Sequence, residues 1–284
     1  KICSFGIIWF FILLSVESSI IPLGELSAEY RLYLPSIGII IAFISLCQLA
    51  ISKLSLQWRP LLAASSTLLV LLCTATLLRN RVWQSDITLW QDAVSKSPAK
   101  ARPYYNLGVA LTSSGRLSEA IPMLERAVAI NPEHPLAWNN LGAALSDAGR
   151  PKDAVAVLEK ALKNNPNNPE IFFNLGRSSL LLGDSSAAVS HFSRAITLKP
   201  AYADAYINLA AVYNQTGRPA AAARLLEDNY SLISGRAEGH FNLCIAYAML
   251  NDRAGANREL QMVRRLNQQL AQQLVDYLRQ SLQQ

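Results

Sequence analysis

A 34-residue unit occurs five times in succession from Ala101, with no insertion or deletion between copies. The units run over residues 101–134, 135–168, 169–202, 203–236 and 237–270, and each carries asparagine followed by leucine at its sixth and seventh positions. An uninterrupted period of this length is that of a helix-turn-helix pair, which stacks on its neighbours into a solenoid because it cannot bury its apolar face alone. The larger part of the chain is therefore expected to be all-α. A stack of this kind presents an extended surface, which favours a binding role over catalysis.

The first unit shows why the pattern folds as two helices. Tyr104, Leu107 and Leu111 are spaced by three and four and so share one helix face. Ala120, Leu124 and Ala127 form a second stripe. Gly115 lies between the stripes, where glycine past a helix end takes the left-handed conformation at no steric cost. Pro132 then ends the second helix. The same marks recur as Trp138, Leu141, Gly149, Ala154, Leu158, Ala161 and Pro166, and again as Phe172, Leu175, Gly183, Ala188, Phe192, Ala195 and Pro200. In these residues the chain resembles the tetratricopeptide repeat family, which implies an α-solenoid superhelix.

Small residues at the eighth position (Gly108, Gly142, Gly176, Ala210, Cys244) and the twentieth (Ala120, Ala154, Ala188, Ala222, Ala256) allow large side chains opposite to interdigitate. Cys244 accordingly reads as a small core residue. The last two units drift. Asn229 and Ser234 replace alanine and proline, and Asn251 stands at the turn glycine, where asparagine tolerates the same conformation. Beyond the fifth unit, residues 271–284 are expected to form a capping helix. Its stripe runs through Leu266, Leu270, Leu274, Tyr277 or Leu278, and Leu282.

The first third of the chain is chemically different. Between Lys1 and Leu78 the charged residues are Lys1, Glu17, Glu25, Glu29, Arg31, Lys53 and Arg59. Three apolar runs fall there, at 7–16, 34–51 and 61–78, and the latter two reach the length that spans a bilayer core. Extension over 2–21 would bring the first to the same length. A single cleaved signal peptide does not explain three runs. Residues 1–82 are thus expected to hold about three transmembrane helices, and 83–100 to form a joining half-repeat in which Trp90, Ala93 and Pro98 occupy second-helix positions. The chain opens on Lys1 within an apolar stretch and without an initiator methionine, as a fragment would.

The loop between the first two runs holds Glu25, Ala28-Glu29-Tyr30-Arg31 and Tyr33-Leu34-Pro35-Ser36-Ile37-Gly38. With Arg79-Asn80-Arg81-Val82-Trp83 and Leu89-Trp90, it resembles the C-terminal membrane segments of the tetratricopeptide-containing proteins related to the lumenal O-mannosyltransferases, with the arginine displaced by one residue. The resemblance implies a multi-spanning glycosyltransferase of the C type that takes sugar from a polyprenyl-phosphate donor. Its catalytic carboxylate would lie in an earlier loop outside this chain, so no catalytic residue is assigned here. Glu25, Glu29 and Arg31 either border a lipid-phosphate site, since a guanidinium fork matches phosphate, or sit in the headgroup zone beside interfacial tyrosines. Lysine and arginine counts around the runs leave the side of the repeats undecided or slightly favour the cytoplasmic side. The resemblance places them on the extracytoplasmic side, periplasmic or lumenal.

Asn106, Asn140, Asn174, Asn208 and Asn242 fall at mid-helix, where asparagine is a poor helix former. On first helices they would form a ladder along the concave groove, each amide offering a donor and an acceptor to the backbone of an extended peptide. The ladder is similar to that of the O-linked N-acetylglucosamine transferases, which implies peptide binding. The competing reading is that each amide ties neighbouring first helices together. Variable residues at the second, ninth and thirteenth positions, among them Glu170, Asp204, Arg177, Asp147, Leu181 and Met249, could supply specificity.

Other functions find no support. The formal charge of +6 is spread over both signs, without the basic face a nucleic-acid partner needs. His134, His191 and His240 share no metal-ligand spacing, the four cysteines form no disulfide or zinc pattern, and no phosphate loop or nucleophile elbow occurs. Neither a cofactor nor a metal is expected. The reading is a membrane-anchored solenoid that binds a peptide or protein ligand, as the C-terminal part of a lipid-linked-sugar glycosyltransferase. A non-enzymatic membrane scaffold is the alternative.

Overall fold

The computed structural model describes residues 81–281 apart from Pro135, together with Thr67. Apart from Thr67, the three apolar runs, with Glu25, Glu29 and Arg31, lie outside the described residues. Among the described residues no helix is long and apolar enough to cross a membrane.

A 3-10 turn (Arg81–Gln84) and α1 (Asp86–Lys96) precede the repeats. The first helices of the five units are α2 (Ala101–Ser113), α4 (Ala137–Asp147), α6 (Pro169–Leu181), α8 (Ala203–Gln215) and α11 (Ala237–Met249). The second helices are α3 (Leu117–Ile130), α5 (Pro151–Asn164), α7 (Ser185–Leu198), α9 (Pro219–Asp228) with the short α10 (Tyr230–Ile233), and α12 (Arg253–Leu266). A final helix, α13, spans Gln268–Ser281. The described chain is an all-α solenoid.

Local chemistry sets each joint. Gly115, Gly149, Gly183 and Gly217 have φ of 73°, 74°, 79° and 70°, and Asn251 takes φ 61° at the same place in the fifth unit. Each therefore closes a first helix in the left-handed region. Within a pair, a Cβ added at Gly108 would lie 2.6 Å from Leu124 Cγ, and one at Gly176 would lie 2.6 Å from Phe192 Cε1. The missing side chain is what lets Leu124 and Phe192, both fully buried, seat against the first helix. In the fourth unit the second helix breaks at Asn229, whose Nδ2 donates to Leu225 O at 2.9 Å, a local bond that competes with helix continuation.

The ends are finished differently. Ser85 and Thr88 form a reciprocal cap on α1. Ile87, Trp90 and Val94 of that helix pack on Leu107, Leu111 and Ala120, as a second helix packs on the next unit. At the other end, Asn267 Oδ1 accepts from Leu270 N at 3.0 Å and starts a new helix. Leu266 consequently belongs to α12 and is 42% exposed. The apolar face of the cap begins at Leu270 and runs through Ala271, Leu274 and Leu278. Leu282 lies outside the described residues.

Candidate functional site

Consecutive first helices touch one another, while consecutive second helices are kept apart by the first helices between them. A stack with that asymmetry curves with its first helices on the inner face. The asparagines at the sixth position stand on these helices, and four of them use Nδ2 internally. Asn140 Nδ2 donates to Tyr105 Oη at 3.0 Å, and Asn174 Nδ2 donates to Asn139 Oδ1 at 2.9 Å. Asn242 Nδ2 donates to Ile207 O at 3.3 Å and to Glu238 O at 3.1 Å. In all three cases a partner is the residue just before the asparagine of the preceding unit. Phe173 holds that place beneath Asn208, but no bond crosses this junction, and Asn208 Nδ2 donates to Asp204 O on its own helix at 2.8 Å.

These bonds leave the acceptors open. Among the described residues no hydrogen bond reaches the Oδ1 of Asn106, Asn140, Asn174, Asn208 or Asn242. Asn174 is buried at 8% exposure and the others are half-buried. Asn106 lines a cavity of about 320 Å³ between α1 and α2, together with Trp90 and Val109. The tie between first helices is thus formed at three junctions, and a row of carbonyl oxygens remains available on the inner face.

Several of the variable first-helix residues are engaged in ion pairs. Arg177 reaches back to Asp147 at 2.6 Å, Lys199 pairs with Glu170 at 2.9 Å, and Arg236 pairs with Asp204. All are exposed, so each pair orients side chains more than it stabilises. Leu181 at 58% exposure and Met249 at 44% leave apolar surface at the thirteenth position.

Buried polar links reinforce the inner face. Ser146 and Ser178 share a hydrogen bond of 2.6 Å across the second and third units, and Asn214 Nδ2 donates to Asn242 O at 2.9 Å across the fourth and fifth. Asn214 Oδ1 is buried without a partner. Neither link is signalled by the repeat pattern, because the tenth and twelfth positions are otherwise apolar or small.

His240 is the residue that spacing arguments undervalue. It is fully buried, with Nδ1 2.6 Å from Glu259 Oε2 and Nε2 3.2 Å from Ser234 O. Both ring nitrogens face acceptors, so the doubly protonated ring satisfies both. The hydrogen bond to Glu259 holds the His240 pKa above its ordinary value against the opposing effect of burial. Nearby, burial pushes the Cys244 thiol up to about 11, and Sγ donates to Ala256 O at 3.2 Å. That cysteine is a core group without thiolate character. Among the described residues no group of three potential metal ligands occurs.

Comparison with known proteins bears on both halves of the reading. The tetratricopeptide repeat family profile matches residues 111–172 and 179–229, and a second profile of the same description matches 157–190. A protein O-mannosyl-transferase of Caenorhabditis elegans is 34% identical over 115 residues, 40% of this chain and 16% of that protein. The protein O-mannosyl-transferase Tmtc2 of Drosophila melanogaster is 39% identical over 108 residues, 37% of this chain and 11% of its own length. The chain therefore spans only a small part of these relatives. Among solved structures, PilW, a widely conserved type IV pilus biogenesis factor, superposes with a TM-score of 0.60 at 19% identity, over 66% of this chain and 87% of its own. A thermophilic tetratricopeptide protein of Thermus thermophilus gives 0.54 at 20% identity, over 65% of this chain and 100% of its own. Both likenesses are of fold.

Proposed function

We propose that this tetratricopeptide solenoid binds extended peptide or protein segments along its first-helix groove, as the C-terminal part of a membrane-anchored protein glycosyltransferase. The observation that carries the groove reading is the ladder. Five consecutive first helices present an asparagine whose Oδ1 is open, and in four of them Nδ2 is held by an internal bond that fixes the amide. A peptide in the polyproline II conformation offers a backbone N–H at every residue, rises about 3.1 Å per residue and repeats every three residues. Neighbouring packed helices lie about 10 Å apart. Every third peptide N–H therefore meets one rung, whatever its side chain.

Similarity to protein O-mannosyl-transferases supports the second half of the proposal. The apolar runs of residues 1–78 then serve as the membrane anchor, and the repeats stand on the extracytoplasmic side. The sugar donor of the complete protein is a polyprenyl-phosphate sugar, with Glu25, Glu29 and Arg31 bordering its phosphate. Replacing Arg31 with glutamine in the complete protein then weakens donor binding, and unchanged affinity removes Arg31 from the site.

The groove is tested by probing a peptide array with the full chain and with single Asn174→Ala, Asn208→Ala and Asn242→Ala variants. Each lost hydrogen bond is worth about 0.5–1.5 kcal/mol, or roughly 2- to 12-fold in affinity. Asn208→Asp keeps the acceptor and retains binding. Equal binding by all variants refutes the ladder.

A further inference from the structure

The cap helix leaves a cavity at the C-terminal end of the groove. Counted in the 34-residue register, Tyr277 stands at the seventh position, where Leu107, Leu141, Leu175, Leu209 and Leu243 are exposed by 4%, 2%, 1%, 3% and 1%. Tyr277 is 48% exposed. The difference follows from how α13 docks. Its first half seats Ala271 and Leu274 among Cys244, Ile245, Ala256 and Val263, whereas Leu278 is only partly covered. Between the second half of α13 and the pair α11 and α12 lies a cavity of about 510 Å³, in the range of preformed ligand pockets.

Its walls combine two chemistries. Ile245, Met249, Ala256, Tyr277 and Leu278 give an apolar interior. Ile245 and Met249 are the ninth and thirteenth positions of the fifth unit, so the cavity continues the groove that carries the ladder. Asn251, Arg253 and Asn257 form the polar part of the lining, and it contains no acidic side chain. Their side chains make no hydrogen bond or ion pair among the described residues. Arg253 is also the first residue of the 14-residue helix α12, whose N-terminal amides add positive potential. The adjacent Asp252 is occupied as the N-cap, accepting from Gly255 N at 2.9 Å.

We infer that this cavity anchors a large apolar side chain of the peptide held in the groove, beside a carboxylate received by Arg253. The inference rests on the groove reading. The apolar interior takes the side chain, and the guanidinium, unpaired among the described residues and with no acid in the cavity lining, selects an anion at its edge. That carboxylate is either the chain terminus of the peptide or an acidic side chain following the anchor.

Fluorescence anisotropy with the full chain and labelled short peptides of serine, threonine and alanine tests it. The peptides end in leucine as free acid, leucine as amide, alanine as free acid, or leucine followed by glutamate with an amidated end. The leucine acid is expected to bind at least about tenfold more tightly than the alanine acid, on the scale of burying one leucine side chain. Amidation removes a similar factor. Recovery with the glutamate peptide assigns the carboxylate to a side chain, and no recovery assigns it to the terminus; either result supports the site. Arg253→Ala abolishes the difference between acid and amide. Ala248→Phe, which fills the cavity, abolishes the preference for leucine while the helical circular dichroism is kept. If that variant loses its helicity, Arg253→Ala and the peptide series decide alone. Binding that depends on neither the last residue nor Arg253 overturns the anchor and leaves the groove intact. If no peptide binds at all, both readings fall.

Discussion

Replacing His240 with phenylalanine leaves Glu259 as a buried carboxylate with its partner removed. Glu259 is 3% exposed and its remaining cation, Arg258, stands 3.7 Å away with an exposed side chain. Breaking one side of a buried pair costs about 3–5 kcal/mol, because the surviving charge keeps its desolvation penalty. In a folded unit of this size, each kcal/mol lowers the thermal midpoint by about 2–4 °C. The single variant is therefore expected to lower the midpoint of the C-terminal repeats by on the order of 10 °C. A second substitution repairs it. The fourth position holds Tyr104, Trp138, Phe172 and Tyr206 in the other units, and the twenty-third, occupied by Glu259, holds Met123, Val157, His191 and Leu225. The double variant His240→Phe/Glu259→Leu restores an apolar pair like Tyr206 and Leu225, and it should return to within about 1 kcal/mol of the parent. Thermal unfolding followed by circular dichroism at 222 nm reads both. The reasoning fails if the single variant is as stable as the parent, or if the double variant is no better than the single.

The same pair gives a pH dependence of defined sign. The folded His240 pKa is raised, so its stabilisation is complete below the unfolded value of about 6.5 and is lost as pH rises through the folded value. The parent midpoint should fall over that window more than the midpoint of the double variant, and equal slopes would exclude the pair as the cause. Gly176→Ala places a Cβ 2.6 Å from Phe192 Cε1. The overpacking cost of about 1–3 kcal/mol exceeds or cancels the helix-propensity gain of about 1 kcal/mol, so urea unfolding that shows clear stabilisation would contradict the close approach. At Gly149, with φ 74° and open space around the position, alanine costs about 1–2 kcal/mol through backbone strain alone. Asn251→Gly relieves the matching residue and should be neutral or slightly stabilising by the same assay. Cys244, its thiol pushed up to about 11, should resist iodoacetamide at pH 8 in the folded chain and react after denaturation.

What can be read from the sequence is what local chemistry decides. Glycine or asparagine after each first helix predicts the left-handed joints, and the repeated glycine at the eighth position predicts the contact with Leu124 or Phe192, because both depend on residues within one unit. Side-chain pairs that depend on another unit are harder to see. Asn208 bonds only its own helix while Asn140, Asn174 and Asn242 reach the helix before theirs, and a uniform asparagine column conceals that difference. His240 and Glu259 lie 19 residues apart on separate helices, each at a position that is otherwise mostly apolar, so neither spacing nor motif joins them. The cap expected from residue 271 starts a few residues earlier, and its stripe starts after Leu266, because the leucine period runs on through Asn267 and only that asparagine's bond to Leu270 N breaks it.

The central claim is that the open Oδ1 row reads peptide backbone N–H groups. N-methylating one backbone nitrogen at a time along a bound peptide, and measuring the affinity of the full chain for each analogue, tests it most directly. The account predicts losses of roughly 2- to 12-fold recurring at every third residue, and near-normal affinity at the nitrogens between them. Affinity indifferent to N-methylation, or lost only where a particular side chain is changed, would contradict it.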